Sequence, residues 1–177
     1  MLNAKQDISN EQFISNLGHY GTSARIHAEN LVLIHDLLQG IIPWAYFGTL
    51  LGLVRGGYPI EGDGDQDLVI SNDDRLKLEL AATHAHERGF QIARNSPDIL
   101  TFLRKNQYVD VYLYRQVPGG DYEIARYYRT PKAFLEDPEI LMFDSRKFLR
   151  PRDTDAVLTH LYGDDWRTPR RNCHARP

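Results

Sequence analysis

Cysteine is nearly absent from this sequence, and its scarcity excludes two classes of protein. The 177-residue chain has one cysteine, Cys173, so it can form neither a disulfide within itself nor a zinc finger, which needs a set of metal-binding side chains at fixed spacing. A single cysteine suits a reducing compartment. The sequence is therefore not that of a small domain held together by disulfides.

Long apolar runs are also missing. The longest, residues 41–54, is too short to span a bilayer and is interrupted by Pro43, Gly48 and Gly52. Residues 1–12 are polar and lack the basic start and apolar centre of a signal peptide. We therefore expect a cytoplasmic protein with no integral membrane segment.

The sequence has no surplus of basic residues. It carries 21 Lys and Arg against 24 Asp and Glu, a net charge of -3, whereas dedicated nucleic-acid binders usually have a basic surplus. We therefore expect no nucleic-acid partner. The 42% hydrophobic and 25% charged shares are those of a globular protein. We expect a polar lead-in over residues 1–21 and a single domain over residues 22–177.

Helical and strand patterns alternate irregularly along the chain. Apolar spacing and glycine positions predict helices over residues 24–38, 50–55, 72–88 and 153–162. Short apolar segments predict strands over residues 43–47, 65–70, 90–94, 99–104 and 108–114, with further short strands over 122–128 and 143–148. Lys105-Asn106 predicts a turn. This order predicts an α+β fold with a mixed β-sheet packed with helices.

The most informative stretch is residues 46–70, where three aspartates alternate with other residues. Because side chains two apart in a strand lie on one face, Asp65 and Asp67 should project together while Gln66 points the other way. Two adjacent carboxylates repel each other unless a cation lies between them. The pattern of Asp63, Asp65 and Asp67 therefore predicts a site for Mg²⁺ or Mn²⁺.

Two further features fit phosphate chemistry around such a metal. Gly48 would let backbone N–H groups approach a phosphate, and the hydroxyl of Thr49 would add a donor. Asp110 is a lone acid between apolar residues in a predicted strand, and acids in such positions are usually paired or bound to metal. We therefore expect Asp110 to complete the carboxylate set.

Other interpretations of these residues are simpler. A calcium loop of the EF-hand type is excluded because Leu68 and Asp74 stand where glycine and glutamate are required. A solvated acidic turn would not explain the nearby Gly48. Arg55 could contact a phosphate or merely neutralise the carboxylates. Several tyrosines could form a box for a quaternary ammonium group, although strand tyrosines usually serve packing; they are Tyr108, Tyr112, Tyr114, Tyr122, Tyr127 and Tyr128.

Together these strings resemble the signature of the LicD-like family, which includes phosphocholine and fukutin-related ribitol-phosphate transferases. The string Gly48-Thr-Leu-Leu-Gly-Leu-Val-Arg55 is followed by Asp63-x-Asp65-x-Asp67. A third-carboxylate strand resembles residues 109–111, and the family's C-terminal ending resembles residues 148–166. The family belongs to the DNA polymerase β-like nucleotidyltransferase superfamily, so the resemblance implies that fold.

The resemblance also implies an activity. It is the metal-dependent transfer of a phospho-alcohol group, such as phosphocholine or a polyol phosphate, from a CDP-activated alcohol to a hydroxyl on a glycan or small molecule. Catalytic carboxylates would be Asp65, Asp67 and Asp110, and these with Asp63 would bind the metal. The substrate-binding residues it implies are Gly48, Thr49, Arg55 and Trp166.

Two other functions share the same metal site. One is a nucleotidyltransferase that moves a nucleoside monophosphate from an NTP to a small-molecule hydroxyl, with release of pyrophosphate. The other is a non-catalytic domain that binds a nucleotide. The intact set of acids argues against the second, because a decayed site would lose its carboxylates first.

Overall fold

A computed structural model describes residues 22–170, and the predictions for residues 1–21 and 171–177 lie outside this range. The helices are α1 (Thr22–Leu37), α2 (Phe47–Gly56), α3 (Arg75–Thr83) and α4 (Thr154–Tyr162). Short 3-10 helices are formed by Asn72–Asp74, Ala85–Arg88 and Lys132–Phe134. The strands are β1 (Trp44–Ala45), β2 (Asp65–Ser71), β3 (Gln91–Ser96), β4 (Ile99–Arg104), β5 (Gln107–Gln116), β6 (Tyr122–Ile124), β7 (Tyr128–Thr130), β8 (Glu139–Phe143) and β9 (Arg146–Arg150).

The nine strands found within residues 22–170 belong to one mixed sheet. Its main path runs β3-β4-β5-β2-β1-β9-β8, and the β6–β7 hairpin extends from the end of β5. The β2–β5 and β1–β9 pairs are parallel, whereas the other pairs on this path are antiparallel. The predicted α+β architecture with a mixed sheet is therefore confirmed.

Two apolar layers cover opposite faces of the sheet. Successive residues of β2 alternate between them, because Leu68 and Ile70 belong to one cluster and Val69 to the other. Helices α1 and α3 contribute to the first cluster, and α4 contributes to the second. Asp65 and Asp67 alternate with the residues between them in the same way as Val69, so their side chains lie on the face that α4 covers.

The helix predicted over residues 72–88 is shorter than expected. A 3-10 turn precedes α3, and a second follows it before Gly89, which has a φ of 79°. Ser71 begins this segment by accepting the Asp73 N–H. The α-helix itself ends at Thr83, and Gly89 caps the second 3-10 turn in the left-handed conformation.

Two segments predicted as single strands are hairpins, and the predictions for residues 122–128 and 143–148 were to that extent wrong. In the first, Ala125 and Arg126 have φ values of 51° and 64° and separate β6 from β7. In the second, Asp144 and Ser145 have φ values of 44° and 61° and separate β8 from β9. Two consecutive residues with positive φ form the tight turn that joins hairpin strands.

The first turn of α1 receives a cap from a distant loop. The Glu61 carboxylate accepts the Ala24 N–H at 2.9 Å and the Ser23 hydroxyl at 3.1 Å. The Ser23 hydroxyl in turn accepts the Gly62 N–H. This contact ties the loop before β2 to α1. Within residues 22–170, no helix has the length and apolar character needed to cross a bilayer.

Candidate active site

The sheet brings three carboxylates together. Asp67 of β2 lies directly beside Asp110 of the parallel strand β5. Asp65 precedes Asp67 by two residues on β2, so its side chain lies on the same face. One oxygen of each of Asp65, Asp67 and Asp110 lies within 4.8 Å of the others. The structure therefore assembles the three predicted catalytic carboxylates from two strands that lie about forty residues apart in the sequence.

Asp67 is the most buried member of this set, with 7% of its surface exposed. Burial raises the pKa of its carboxyl well above the usual range, and the charges of Asp65, Asp110 and Asp63 raise it further. The Gly48 N–H, which donates to Asp67 Oδ2 at 3.1 Å, lowers the pKa. The balance disfavours the charged form of Asp67 unless a cation is present.

The start of α2 fills the edge of β2 beyond the end of β1. The Tyr46 N–H donates to the Asp67 carbonyl, and the chain then turns into the helix. The Thr49 hydroxyl accepts the Asp67 N–H at 2.7 Å and donates to Gln66 Oε1 at 3.2 Å. Thr49 is fully buried. Its hydroxyl joins α2 to β2, and the predicted contact of Thr49 with a phosphate stays a prediction.

Gly48 packs so closely against the carboxylates that a side chain there would have to displace the Asp63 carboxylate. A Cβ at this position would lie 2.9 Å from Asp63 Oδ2 and 3.5 Å from Asp67 Oδ2. Asp63 itself accepts the Gly64 N–H at 3.1 Å. The structure thus places Asp63 at the rim of the site, next to Gly48, and its role as a metal ligand stays a prediction.

Asp110 is held by two hydroxyl groups that no motif in the sequence indicates. Thr101 of β4, its partner across the antiparallel pair, donates to Asp110 Oδ1 at 2.6 Å. The Tyr112 hydroxyl donates to Asp110 Oδ2 at 3.2 Å. The predicted turn at Lys105-Asn106 already implied the pairing of Thr101 with Asp110, because a two-residue turn fixes the hairpin register.

An aromatic cluster adjoins these carboxylates. Phe47 has a φ of 44°, a strained conformation for a bulky residue. Its ring contacts Tyr112 at 5.7 Å and Tyr128 at 4.7 Å between centroids. Tyr114 packs instead on Tyr122, and Tyr127 is 81% exposed. Tyr112 and Tyr128 thus meet at Phe47 and Tyr114 meets Tyr122, and all four pack against one apolar cluster, so the structural interpretation of these tyrosines is the better one.

Arg55 and Trp166, two predicted substrate-binding residues, lie against each other. Arg55 Nη1 donates to the Trp166 carbonyl oxygen at 3.4 Å. The Trp166 ring is buried in the cluster that joins α2 to α4. Arg55 follows Gly48 by seven residues, about 10 Å along a helix. The geometry therefore connects Arg55 to the C-terminal segment, and its contact with a phosphate stays a prediction.

The carboxylate set fits a small divalent cation. Mg²⁺ and Mn²⁺ prefer oxygen ligands and are commonly held by a few carboxylates together with substrate phosphates. Asp65, Asp67 and Asp110 supply such oxygens within reach of one ion. Three neighbouring carboxylates, of which Asp67 is buried, are costly without a cation. The chemistry of the donor set therefore agrees with the predicted metal, although the identity of the ion stays a prediction.

This architecture is the nucleotidyltransferase fold, as solved structures show. The crystal structure of ANT(2″)-Ia in complex with adenylyl-2″-tobramycin aligns with a TM-score of 0.54 and 15% identity, over 78% of this chain and 76% of that chain. The solution structure of the antibiotic-resistance factor ANT(2″)-Ia aligns with a TM-score of 0.51 and 19% identity, over 78% of this chain and 74% of that chain. These are two structures of the same protein, which is a nucleotidyltransferase.

No protein-family model matches the chain, and no curated protein matches it. The likeness to the solved structures nevertheless confirms the expected nucleotidyltransferase fold. They do not support assignment to the LicD-like family, which stays a resemblance carried by the residues.

Proposed function

We propose that this protein transfers a nucleoside monophosphate from an NTP to a hydroxyl group of a small molecule, with a divalent metal as cofactor. One observation carries the proposal: Asp65, Asp67 and Asp110 meet on one face of a mixed sheet, beside Gly48 at the start of α2. The fold likeness to ANT(2″)-Ia, which was solved with an adenylylated tobramycin, supports nucleotidyl transfer to a small-molecule hydroxyl.

The reaction makes and breaks one bond at phosphorus. The acceptor oxygen forms a bond to the α-phosphorus, the bond from that phosphorus to the bridging oxygen breaks, and pyrophosphate leaves. The acceptor hydroxyl loses its proton to a base. Such transfers need mainly positioning and charge stabilisation, so few side chains suffice.

The carboxylates Asp65, Asp67 and Asp110 would hold Mg²⁺ or Mn²⁺. When bound, such a metal neutralises phosphate charge and orients the reacting groups. Gly48 has no side chain, so its backbone can lie directly against the carboxylates of Asp63 and Asp67. The positive end of the α2 dipole adds a favourable field for anions at the same point.

The proposal can be tested by product analysis. The full chain is incubated with Mg²⁺, each of the four NTPs and a panel of polyhydroxylated acceptors that includes aminoglycosides. Release of pyrophosphate, together with acceptor mass increased by one nucleoside monophosphate, supports it. Asp65→Asn should abolish both products, whereas Asp73→Asn, an exposed acid beyond the end of β2, should not. An inactive wild-type protein with every NTP and acceptor would contradict the proposal.

A second candidate is the transfer of a phospho-alcohol group from a CDP-activated alcohol to a hydroxyl on a glycan or cell-surface polymer precursor. It is favoured by the resemblance of residues 48–67 to the LicD-like signature and by the contact of Arg55 with Trp166, which joins the two segments that carry the resemblance. CDP-choline, CDP-ribitol and CDP-glycerol are the donors to test. Release of CMP without pyrophosphate identifies this reaction, and nucleotide binding without any product identifies a non-catalytic domain.

A further inference from the structure

Asp110 differs from the other two carboxylates in how its oxygens are engaged. A hydroxyl group donates to each oxygen, from Thr101 to Oδ1 at 2.6 Å and from Tyr112 to Oδ2 at 3.2 Å. A carboxylate only accepts hydrogen bonds, so both hydroxyls must be donors here. Two donors on different oxygens fix both the position of the carboxylate and the rotation of its plane.

Both hydroxyls come from rigid parts of the sheet. Thr101 lies on β4 directly opposite Asp110, and Asp110 lies beside Asp67, so the three residues form one row across three strands. Thr101 is 5% exposed. A buried β-branched side chain in a strand has little rotational freedom. The donor that contacts Asp110 Oδ1 is therefore itself well fixed.

Tyr112 connects Asp110 to the other side of the site. Its ring packs edge-on against Phe47, the strained residue that begins α2 and precedes Gly48. Movement of the Tyr112 ring would thus disturb the carboxylate and the Gly48 turn together. The side chain links two parts of the site that come from separate segments of the chain.

We propose that Thr101 and Tyr112 are positioning residues, which orient the Asp110 carboxylate towards the metal that it shares with Asp65 and Asp67. This inference rests on the proposed function insofar as that function needs the metal. Each oxygen keeps lone pairs for the metal while a hydroxyl fills another acceptor direction. Partners of this kind, bound to a metal ligand rather than to the metal, typically change metal affinity or activity by 10- to 100-fold.

The test measures Mn²⁺ alone, by electron paramagnetic resonance titration of the folded protein. Thr101→Val and Tyr112→Phe remove one hydroxyl each and keep the side-chain shape, and each should weaken Mn²⁺ binding by about 10- to 100-fold. Thr101→Ser keeps the hydroxyl and should stay within about threefold of wild type. Tyr114→Phe is a matched control on the same strand, because the Tyr114 ring packs on Tyr122, and it should also stay within that limit.

The outcomes separate positioning from general damage to the fold. Thermal melts identify any variant that fails to fold, and the remaining hydroxyl variants still decide the matter. Folded Thr101→Val and Tyr112→Phe proteins that bind Mn²⁺ as tightly as wild type would overturn the proposal. Equal losses in Thr101→Ser and Thr101→Val, or in Tyr114→Phe and Tyr112→Phe, would overturn it too.

Kinetic measurements add a second readout where the wild-type protein transfers nucleotide. The Mg²⁺ concentration for half-maximal rate should rise by about 10- to 100-fold in Thr101→Val and Tyr112→Phe. The KM for NTP at saturating Mg²⁺ should stay close to that of wild type. If the wild-type protein transfers nothing, the proposed function fails, whereas the Mn²⁺ affinities still decide the role of these two residues.

Discussion

Replacement of Asp67 by Asn should stabilise the metal-free protein while abolishing metal binding. Asp67 is 7% exposed and its carboxylate lies within 4.8 Å of ligand atoms of Asp65 and Asp110. Two unit charges at that distance repel by about 3.5 kcal/mol at an effective dielectric constant of about 20. The amide of Asn removes this repulsion, and its oxygen can still accept the Gly48 N–H.

Proton uptake limits how much the repulsion destabilises the fold. For each pH unit above the ordinary carboxyl pKa of about 3.9, charging Asp67 can destabilise the fold by at most about 1.4 kcal/mol. The destabilisation at pH 7.5 is therefore at most about 5 kcal/mol. We therefore expect Asp67→Asn to raise the free energy of unfolding by about 3 kcal/mol or more. For a chain of this length, that corresponds to a rise in Tm of about 6 to 12 °C.

The sign of the pH dependence follows from the raised pKa of Asp67. Its protonation stabilises the fold fully below the pKa of the unfolded chain, and this contribution is lost as pH rises through the folded-state pKa. The difference in Tm between Asp67→Asn and wild type should therefore widen from pH 5 to pH 8. Mg²⁺ should raise the Tm of wild type by mass action and leave that of the variant unchanged.

Thermal unfolding in EDTA and in Mg²⁺, at several pH values, measures these differences in Tm. Asp98→Asn is the matched control, because Asp98 accepts from Arg126 at 2.7 Å and forms a second ion pair with Arg115. Its replacement should lower stability slightly, by at most about 1 kcal/mol. An Asp67→Asn protein that melts at or below the wild-type temperature in EDTA at pH 7.5 would refute the reasoning.

Two further substitutions test the surroundings of the carboxylates. Gly48→Ala should keep or slightly raise the Tm, because Ala favours a helix by up to about 1 kcal/mol over Gly. It should also lower the transfer rate at least about tenfold, because the new Cβ displaces the Asp63 carboxylate. An unchanged rate would show that the reaction does not depend on the space that Asp63 occupies beside Gly48. Glu61→Ala should lower the free energy of unfolding by about 1 kcal/mol, or the Tm by about 2 to 4 °C, because it removes the cap on the Ala24 N–H. Chemical denaturation measures this loss, and an unchanged midpoint would contradict the capping role.

Much of the site could be predicted because strand alternation is a local property. The spacing of Asp65 and Asp67 alone indicated a shared face, and their register with β5 brings in Asp110. The role of Thr101 was also implicit in the sequence, since a turn at Lys105-Asn106 pairs it with Asp110. Threonine is common in strands, so Thr101 gains significance only from its pairing with Asp110.

The turns that could not be predicted lack the residues that normally mark them. Asn-Gly or Asp-Gly is the usual signal for two consecutive positive φ values. The β6–β7 turn uses Ala125-Arg126 and the β8–β9 turn uses Asp144-Ser145, so no glycine indicates either. Phe47 likewise adopts a positive φ without being glycine. At both turns the flanking strands pair antiparallel, which requires this turn backbone although glycine is absent.

The location of the carboxylates follows from the short length of β1. This strand has two residues and ends at Ala45, so within the described residues no strand pairs with this edge of β2 at Asp67. The start of α2 replaces the partner, through the Thr49 hydroxyl on the Asp67 N–H and the Gly48 N–H on the Asp67 carboxylate. A helix N-terminus is also where negative charge is best tolerated. The same edge therefore supports three acids that repel one another without a metal, and metal binding there should stabilise the whole β2–α2 junction.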